Sequence, residues 1–307
     1  MNTVEDKNDL LKTPLHGLYI PVALVLVGVS IMDYHLLPYT VAILAVFLTG
    51  QFLYARSKKF VLSADKFQKY ELLDKTIISR NSAIYRFALK NEDSRLNIPV
   101  GQHLACKVRV ADDELIRYYT PISNQFDEGF FDILVKSYKD GKVSKKFASL
   151  TPGQFVEFKG PVGRISYQPN IAEEIIMIAG GSGITPMLQV IGAIITTPED
   201  RTKVKLIYAN ETENDILLKD ELDEFSGKYP GFDVEYVLND PPEKWNAYIG
   251  HITKELLEKL LPAPSPKRKI FICGPMEMKK NLLKYTEELG WERGTLKSNG
   301  TDQVFCF

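Results

Sequence analysis

The sequence predicts an amino-terminal membrane anchor, then an antiparallel β-barrel, then an α/β domain built on a parallel sheet. Three observations carry that expectation. Two apolar runs near the start, Leu18–Met32 and Leu36–Tyr54, are interrupted by Asp33, Tyr34 and His35. From Lys69 to Phe158, short strand-like runs alternate with turn signals, the pattern of an antiparallel sandwich or barrel. Beyond Tyr167-Gln168-Pro169-Asn170, which reads as a linker, strands alternate with helices, the pattern of a parallel sheet covered on both faces. At 307 residues the chain has room for two domains with separate cores. The expected limits are 1–60 for the anchor, 65–168 for the barrel and 169–307 for the α/β domain.

Composition narrows the function classes. Lys+Arg is 38 and Asp+Glu is 39, which gives no electrostatic case for binding nucleic acid. The three cysteines, Cys106, Cys273 and Cys306, are too widely spaced for a disulfide framework or a zinc site and suit a reducing compartment. With four histidines (His16, His35, His103, His251), no metal centre is expected.

In the anchor, Leu18–Met32 as a helix covers about 22 Å, short of a bilayer core, whereas Leu36–Tyr54 is long enough to span. The favoured reading is two spanning helices, about 18–32 and 36–54, joined by a tight Asp33–Pro38 turn; one spanning helix plus an interfacial one is the alternative. Residues 18–54 would contact the bilayer. Arg56, Lys58 and Lys59 then place the following domains on the cytosolic side, and the same basic run suits anionic head groups. No basic leader runs into the first apolar run, so a cleaved signal peptide fits poorly.

The barrel strands are expected at Glu71–Ser79, Ala83–Leu89, His103–Val110, Phe130–Tyr138 and Gln154–Lys159, with a short helix at Ser144–Leu150. Turn signals lie between them at Asn91–Ser94, Ala111–Glu114, Asp127–Gly129, Asp140–Gly141 and Pro152–Gly153. Arg117-Tyr118-Tyr119-Thr120-Pro121-Ile122-Ser123 sits where a strand ends. An arginine fork can clamp a pyrophosphate, a tyrosine can stack on a flat ring system, and Pro121 fixes the turn. The bland alternative is an ordinary turn with an exposed arginine. Lys136 follows on the next strand, and Gly141-Lys142-Val143-Ser144 opens the short helix, whose free N–H groups suit phosphate.

Taken together these residues resemble the flavin-binding pattern of the NADH-cytochrome b5 reductase family, in the ferredoxin-reductase superfamily. R-x-Y-T-x-x-S is met by Arg117, Tyr119, Thr120 and Ser123, V-K-x-Y by Val135, Lys136 and Tyr138, and the G-K-V-S turn by Gly141, Lys142, Val143 and Ser144. The resemblance implies that these residues bind FAD, with Arg117 and Ser144 on its pyrophosphate, Tyr119 and Thr120 against the flavin, and Thr120 hydrogen-bonded to the flavin N5 edge.

In the second half, strands are expected at Glu174–Ala179, Lys203–Ala209, Phe232–Leu238, Lys269–Cys273 and Gln303–Phe307, and helices at Pro186–Thr196, Leu218–Lys228, Thr253–Leu261 and Pro275–Leu289. Ligands in such sheets bind beyond the carboxyl ends of the strands. Gly180-Gly181-Ser182-Gly183 occupies such an end and lets a backbone approach a dinucleotide closely. With Ile184-Thr185-Pro186 it completes the family's G-G-[ST]-G-I-T-P, and Cys273-Gly274-Pro275-Met276 resembles its C-G-P turn. The resemblance implies NADH as the second cofactor, with Cys273 placing the nicotinamide without acting as a nucleophile. Cys106 and Cys306 read as structural and His251 as a surface residue. Val304–Phe307 resembles the family's aromatic ending.

Asn210–Asp215 is acidic, which disfavours a 2′-phosphate if it lies near the ribose. Relatives that prefer NADH often carry an aspartate after the third strand; here Asn239 stands first and Asp240 next.

The resemblance therefore implies an FAD-dependent NADH reductase that passes single electrons to cytochrome b5, an acidic haem protein. The alternative acceptor is a membrane quinone, because the anchored fungal branch of the family looks most similar. Lys136, Lys139, Lys142, Lys145 and Lys146 form either a steering patch or a solvated face. The endoplasmic reticulum is the expected location, with the plasma membrane and mitochondrial outer membrane as alternatives. A membrane-tethered module without catalysis is the reading from another class, and the complete motifs argue against it.

Overall fold

The computed structural model describes residues 20–58, 61–110 and 113–307, with only the backbone of 51–58. The chain divides into two units, 1–60 and 61–307.

In the first unit, α1 is Ile20–Met32 and α2 is Leu37–Lys58, joined by a 3₁₀ turn over Tyr34–Leu36. Asp33 caps that turn by accepting from the His35 N–H at 3.0 Å. The 13 residues of α1 cover about 20 Å, well short of a bilayer core. The 22 residues of α2 cover about 33 Å, but Pro38, Thr40, Thr49, Gly50 and Gln51 interrupt its apolar character and Arg56 and Lys58 end it. Among the described residues no helix is long and apolar enough to cross a membrane, so the expected pair of spanning helices is not found. Leu18 and Lys59 lie outside the described residues.

The second unit begins with six antiparallel strands: β1 Gln68–Ser79, β2 Ser82–Ala88, β3 His103–Val110, β4 Asp113–Tyr119, β5 Phe130–Lys136 and β6 Phe155–Val162. Their order is β4-β3-β6-β1-β2-β5. The chain leaving β4 bridges β5 at Pro121–Ile133, with the Ile122 N–H donating to the Asp132 carbonyl at 2.9 Å, so the two ends of the sheet meet and close a barrel. Side chains alternate along the strands, and the inward set is aromatic. Phe87 and Phe131 meet Phe158 edge-on at 4.9 and 5.3 Å, geometries worth about 1 kcal/mol each beyond area burial. The short helix α3, Lys142–Ala148, plugs one end with fully buried Phe147 against Tyr85. It starts at Lys142, two residues before the expected Ser144 and directly after Gly141, which ends the preceding turn.

The parallel sheet contains β7 Glu174–Gly180, β8 Lys203–Asn210, β9 Phe232–Leu238, β10 Tyr248–Ile249, β11 Arg268–Cys273 and β12 Val304–Cys306. Its order is β10-β9-β8-β7-β11-β12. The apolar run Ile175–Ala179 is wholly buried because helices cover both faces. α4 (Ile184–Thr196) and α5 (Lys219–Lys228) pack on one side, through residues such as Met187, Val190 and Leu222. α6 (Lys254–Leu260) and α7 (Met276–Glu288) pack on the other, through Leu257, Leu260 and Leu282. The direction of winding reverses between β7 and β11, and their register sets Ala179 beside Cys273. The turns after those two strands therefore lie side by side, at the place where open α/β sheets bind ligands.

Two strands have no counterpart in the sequence reading. β4 carries the Arg117–Tyr119 motif but is mostly exposed, so it lacks the apolar alternation that marks a strand. β10 is too short to show any period.

Candidate functional site

A cleft of about 1120 Å³ runs between the barrel and the parallel sheet. From the barrel, β4 and the turn after it contribute Arg117, Tyr119 and Thr120, and the β5–α3 segment contributes Lys136, Tyr138, Gly141, Lys142, Val143 and Ser144. From the other side come Gly180, Ser182, Gly183, Thr185 and Pro186, and then Cys273, Gly274, Pro275 and Met276. The fold thus brings these motifs to one place although they stand far apart in sequence.

Three expected residues lie elsewhere. Ser123 accepts from the Asp132 N–H at 3.1 Å, which ties the barrel closure together, and it faces a neighbouring groove. Val135 is buried in the barrel core. Gly181 faces an adjoining cavity, and its φ of +51° is a conformation that favours glycine. Sequence reasoning missed His103, Arg164, Lys279 and Phe307, which also line the cleft. His103 and Lys279 stand in no punctuated motif, whereas Arg164 follows Gly160-Pro161-Val162-Gly163 and Phe307 closes the aromatic ending.

In the turn after β7, glycine is required at position 183, where backbone atoms stand too close for a Cβ, and is favoured at position 180. A Cβ on Gly183 would stand 2.3 Å from the Cys273 carbonyl oxygen, and one on Gly180 would stand 2.7 Å from Met278 Sδ. Gly141 caps α3 without a side chain, so the first N–H groups of that helix stay open toward the cleft. Ser144 Oγ accepts from the Tyr138 N–H at 3.3 Å and donates to the Gly141 carbonyl at 3.3 Å, which shapes the turn. The lining is cationic: Arg117, Lys136, Lys142, Arg164 and Lys279 stand against Asp140. That charge suits the phosphates of dinucleotides.

Burial sets the protonation of the neutral groups. It pushes the Cys273 thiol up to about 12, so the sulfur is a small apolar contact rather than a thiolate nucleophile. It pushes the Tyr119 phenol above its ordinary range. Burial, with Arg164 adding to it, lowers His103, which is therefore neutral at pH 7. Cys106 and Cys306 are buried, as a structural role requires. His251 is exposed.

Two side-chain contacts cross the cleft. Tyr138 Oη and Ser182 Oγ are 3.2 Å apart, and Lys136 Nζ donates to Asp215 Oδ1 at 2.7 Å with both side chains largely buried. Lys136 is thereby held by protein rather than free for a ligand. Burial would raise the Asp215 carboxyl, but the hydrogen bonds from Lys136 and Thr212 outweigh it and hold the group below the usual carboxylate range. A carboxyl lowered in the folded state stabilises fully above its unfolded value near pH 4, and that contribution is lost as pH falls through the folded value. Asp215→Asn is therefore expected to cost about 2 kcal/mol at pH 7, seen as a melting temperature lower by about 5 °C. The gap to wild type should close below pH 4; equal melting temperatures at pH 7 would remove the pair from the stability of this interface.

Two family models match, the oxidoreductase FAD-binding domain over residues 69–167 and the oxidoreductase NAD-binding domain over residues 177–284. The chain is 47% identical over 305 residues to the plasma membrane-associated coenzyme Q6 reductase PGA3 of Saccharomyces cerevisiae, covering 97% of each chain. It is 46% identical over 300 residues to NADH-cytochrome b5 reductase 1 of Ajellomyces capsulatus, covering 95% of this chain and 96% of that one. The cytochrome b5 reductase domain of Ulva prolifera nitrate reductase has a similar structure, with a TM-score of 0.74 and 32% identity over 80% of this chain and 99% of that one. A flavin-binding barrel and a nicotinamide-nucleotide-binding sheet that share one cleft make this an FAD- and NAD(H)-dependent oxidoreductase. The chain belongs to the NADH-cytochrome b5 reductase family, with its ferredoxin-reductase-like fold.

Proposed function

We propose that this chain transfers electrons from NADH, through FAD, to cytochrome b5 at a membrane surface. The observation that carries the reading is the single cleft shared by the Arg117–Thr120 turn, the α3 N-terminus and the two glycine turns. Bound FAD would accept a hydride from NADH and release the two electrons one at a time. Arg117, Lys142 and the N–H groups opening α3 hold its pyrophosphate, and Thr120 and Tyr119 line the flavin. The Gly180–Gly183 turn takes the NADH pyrophosphate, and Cys273 places the nicotinamide against the flavin. The domain limits of 65–168 and 169–307 go with this division of labour.

Exposed Lys139, Lys142, Lys145 and Lys146 near the cleft suit an acidic haem protein. Lys136, paired with Asp215, is not part of that patch. A membrane quinone is the second reading, favoured by the 47% identity to a coenzyme Q6 reductase. Membrane association through the first unit accompanies either. α1 exposes Leu24, Val27, Ile31 and Met32, and α2 exposes Ile43, Val46 and Phe47. Ser30, Thr40 and Thr49 donate to carbonyls one turn back, at 2.8, 3.0 and 2.7 Å, so these helices present few unsatisfied polar groups to lipid. Cytosolic catalytic domains follow from the Arg56–Lys59 charges; the endoplasmic reticulum and the plasma membrane are the membranes to examine first.

The test is an anaerobic absorption spectrum of the purified chain before and after adding NADH, then NADPH, with cytochrome b5 or a short-chain quinone as acceptor. A flavin band bleached much faster by NADH, and restored by cytochrome b5, is the expected result. A colourless protein that takes up no FAD would overturn the reading; restoration by quinone alone would move the acceptor to the second reading.

A further inference from the structure

A second cavity, of about 610 Å³, opens at the carboxyl ends of β8 and β9 and shares Lys136 and Gly180 with the main cleft. A dinucleotide whose pyrophosphate meets the turn after β7 extends its adenosine over the neighbouring strand ends. Asn210 closes β8 at this point. It is 7% exposed, yet neither its Oδ1 nor its Nδ2 has a hydrogen-bond partner. The Tyr208 hydroxyl on the same strand is already engaged, donating to the Gly181 carbonyl at 3.0 Å and accepting from the Leu217 N–H at 3.4 Å. A buried amide left bare in this way is costly, and a polar ligand bound in the cavity would satisfy it.

Glu211 stands next to it, exposed toward the same cavity. Its Oε2 accepts from Asn239 Nδ2 at 2.9 Å, which leaves Oε1 without a partner among the described residues. The backbone fixes this arrangement, because the Asn239 N–H donates to the Asn210 carbonyl at 3.2 Å and the Asp240 N–H to the Glu211 carbonyl at 2.8 Å. Lys136, the lysine lining the cavity, is taken by Asp215 at 2.7 Å. Asp240, the aspartate that follows the third strand of the sheet, does not line the cavity; Asn239 does. A carboxylate held in place, with no free lysine or arginine among the described residues that line the cavity, accepts from a hydroxyl and repels a phosphate.

We infer that Glu211, oriented by Asn239, is the residue by which this chain selects a 2′-hydroxyl over a 2′-phosphate on the adenosine ribose of its nicotinamide cofactor. The inference rests on the reading that the cleft takes NADH. It assigns the choice of donor to the end of β8, with Asn239 as a positioning residue in place of an acid.

The experiment is a calorimetric titration of the purified full chain with adenosine 5′-monophosphate and with adenosine 2′,5′-bisphosphate. Wild type is expected to prefer the monophosphate by about tenfold or more. Glu211→Gln should bring the two affinities within about threefold, and Glu211→Arg should reverse the order. The ratio of kcat/KM for NADH over NADPH should fall in parallel. Monophosphate binding reports that each variant is folded. A Glu211→Gln protein that binds the monophosphate normally and keeps the full preference would overturn the inference while leaving the NADH reading intact. A wild-type protein that binds neither nucleotide would remove the cavity from the cofactor site, and the inference with it.

Discussion

Replacing Gly183 with alanine should cost about 3 kcal/mol of stability and most of the NADH affinity. The backbone at Gly183 is right-handed helical, with φ −64° and ψ −4°, so alanine suffers no conformational strain there. The whole effect is steric. The added Cβ would lie 2.3 Å from the Cys273 carbonyl oxygen, 2.6 Å from its carbon and 2.8 Å from the Gly274 nitrogen, all backbone atoms that no rotamer change can move. The turns after β7 and β11 must separate, and the two strands that carry them are buried through their centres and paired in register from Glu174–Arg268 to Ala179–Cys273. Gly192→Ala in the middle of α4 is the matched control. Its Cβ would meet nothing within 4 Å, so the variant should gain up to about 1 kcal/mol from helix propensity. Thermal unfolding of the two variants should move in opposite directions from wild type. A Gly183→Ala protein that melts with wild type and reacts normally with NADH would mean that the contact between the turns is slack.

The parts of this molecule most legible in the sequence are those with a local cause. Ile175–Ala179 reads as a buried parallel strand because it is an unbroken apolar run, and the glycines after it read as a turn because only they permit the close approach seen there. The core of the α/β domain follows from the same alternation of patterns. Other features are set by partners distant in sequence and leave no local trace. β4 is a strand because β3 pairs with it, not because its own exposed residues demand it. Ser123 belongs to a binding motif by its spelling, but its hydroxyl serves the Asp132 N–H across the closing seam of the barrel. Lys136 reads as a phosphate ligand until Asp215, brought over by the second domain, is seen to hold it. Asn210 is unremarkable as a letter; only its burial without partners marks it. In the first unit, hydropathy alone carries the expectation of a membrane anchor, and among the described residues no helix is long and apolar enough to span.

Arg117→Ala should leave the fold intact and remove the flavin. Arg117 is exposed, its guanidinium donates to the neighbouring Ile116 carbonyl at 2.8 Å, and among the described residues it forms no ion pair. Truncating such a side chain ordinarily changes stability by less than about 0.5 kcal/mol. Arg117 lines the cleft together with Lys142 and the start of α3, which has no side-chain cap. A guanidinium can meet two phosphate oxygens at once, and losing that charge-assisted pair should weaken FAD binding by about 100-fold, or about 2.7 kcal/mol. Arg117→Lys should recover part of the affinity, because an ammonium keeps the charge but not the fork. The readout is the ratio of flavin to protein absorbance after purification, followed by titration of the flavin-free chains with FAD. Flavin-free wild type and Arg117→Ala should melt together, whereas at the same added FAD wild type should gain the more stability, since a ligand that binds only the folded state raises its melting temperature in step with its affinity. Arg117→Ala protein that purifies fully yellow would take Arg117 off the pyrophosphate and leave the anion to α3 and Lys142.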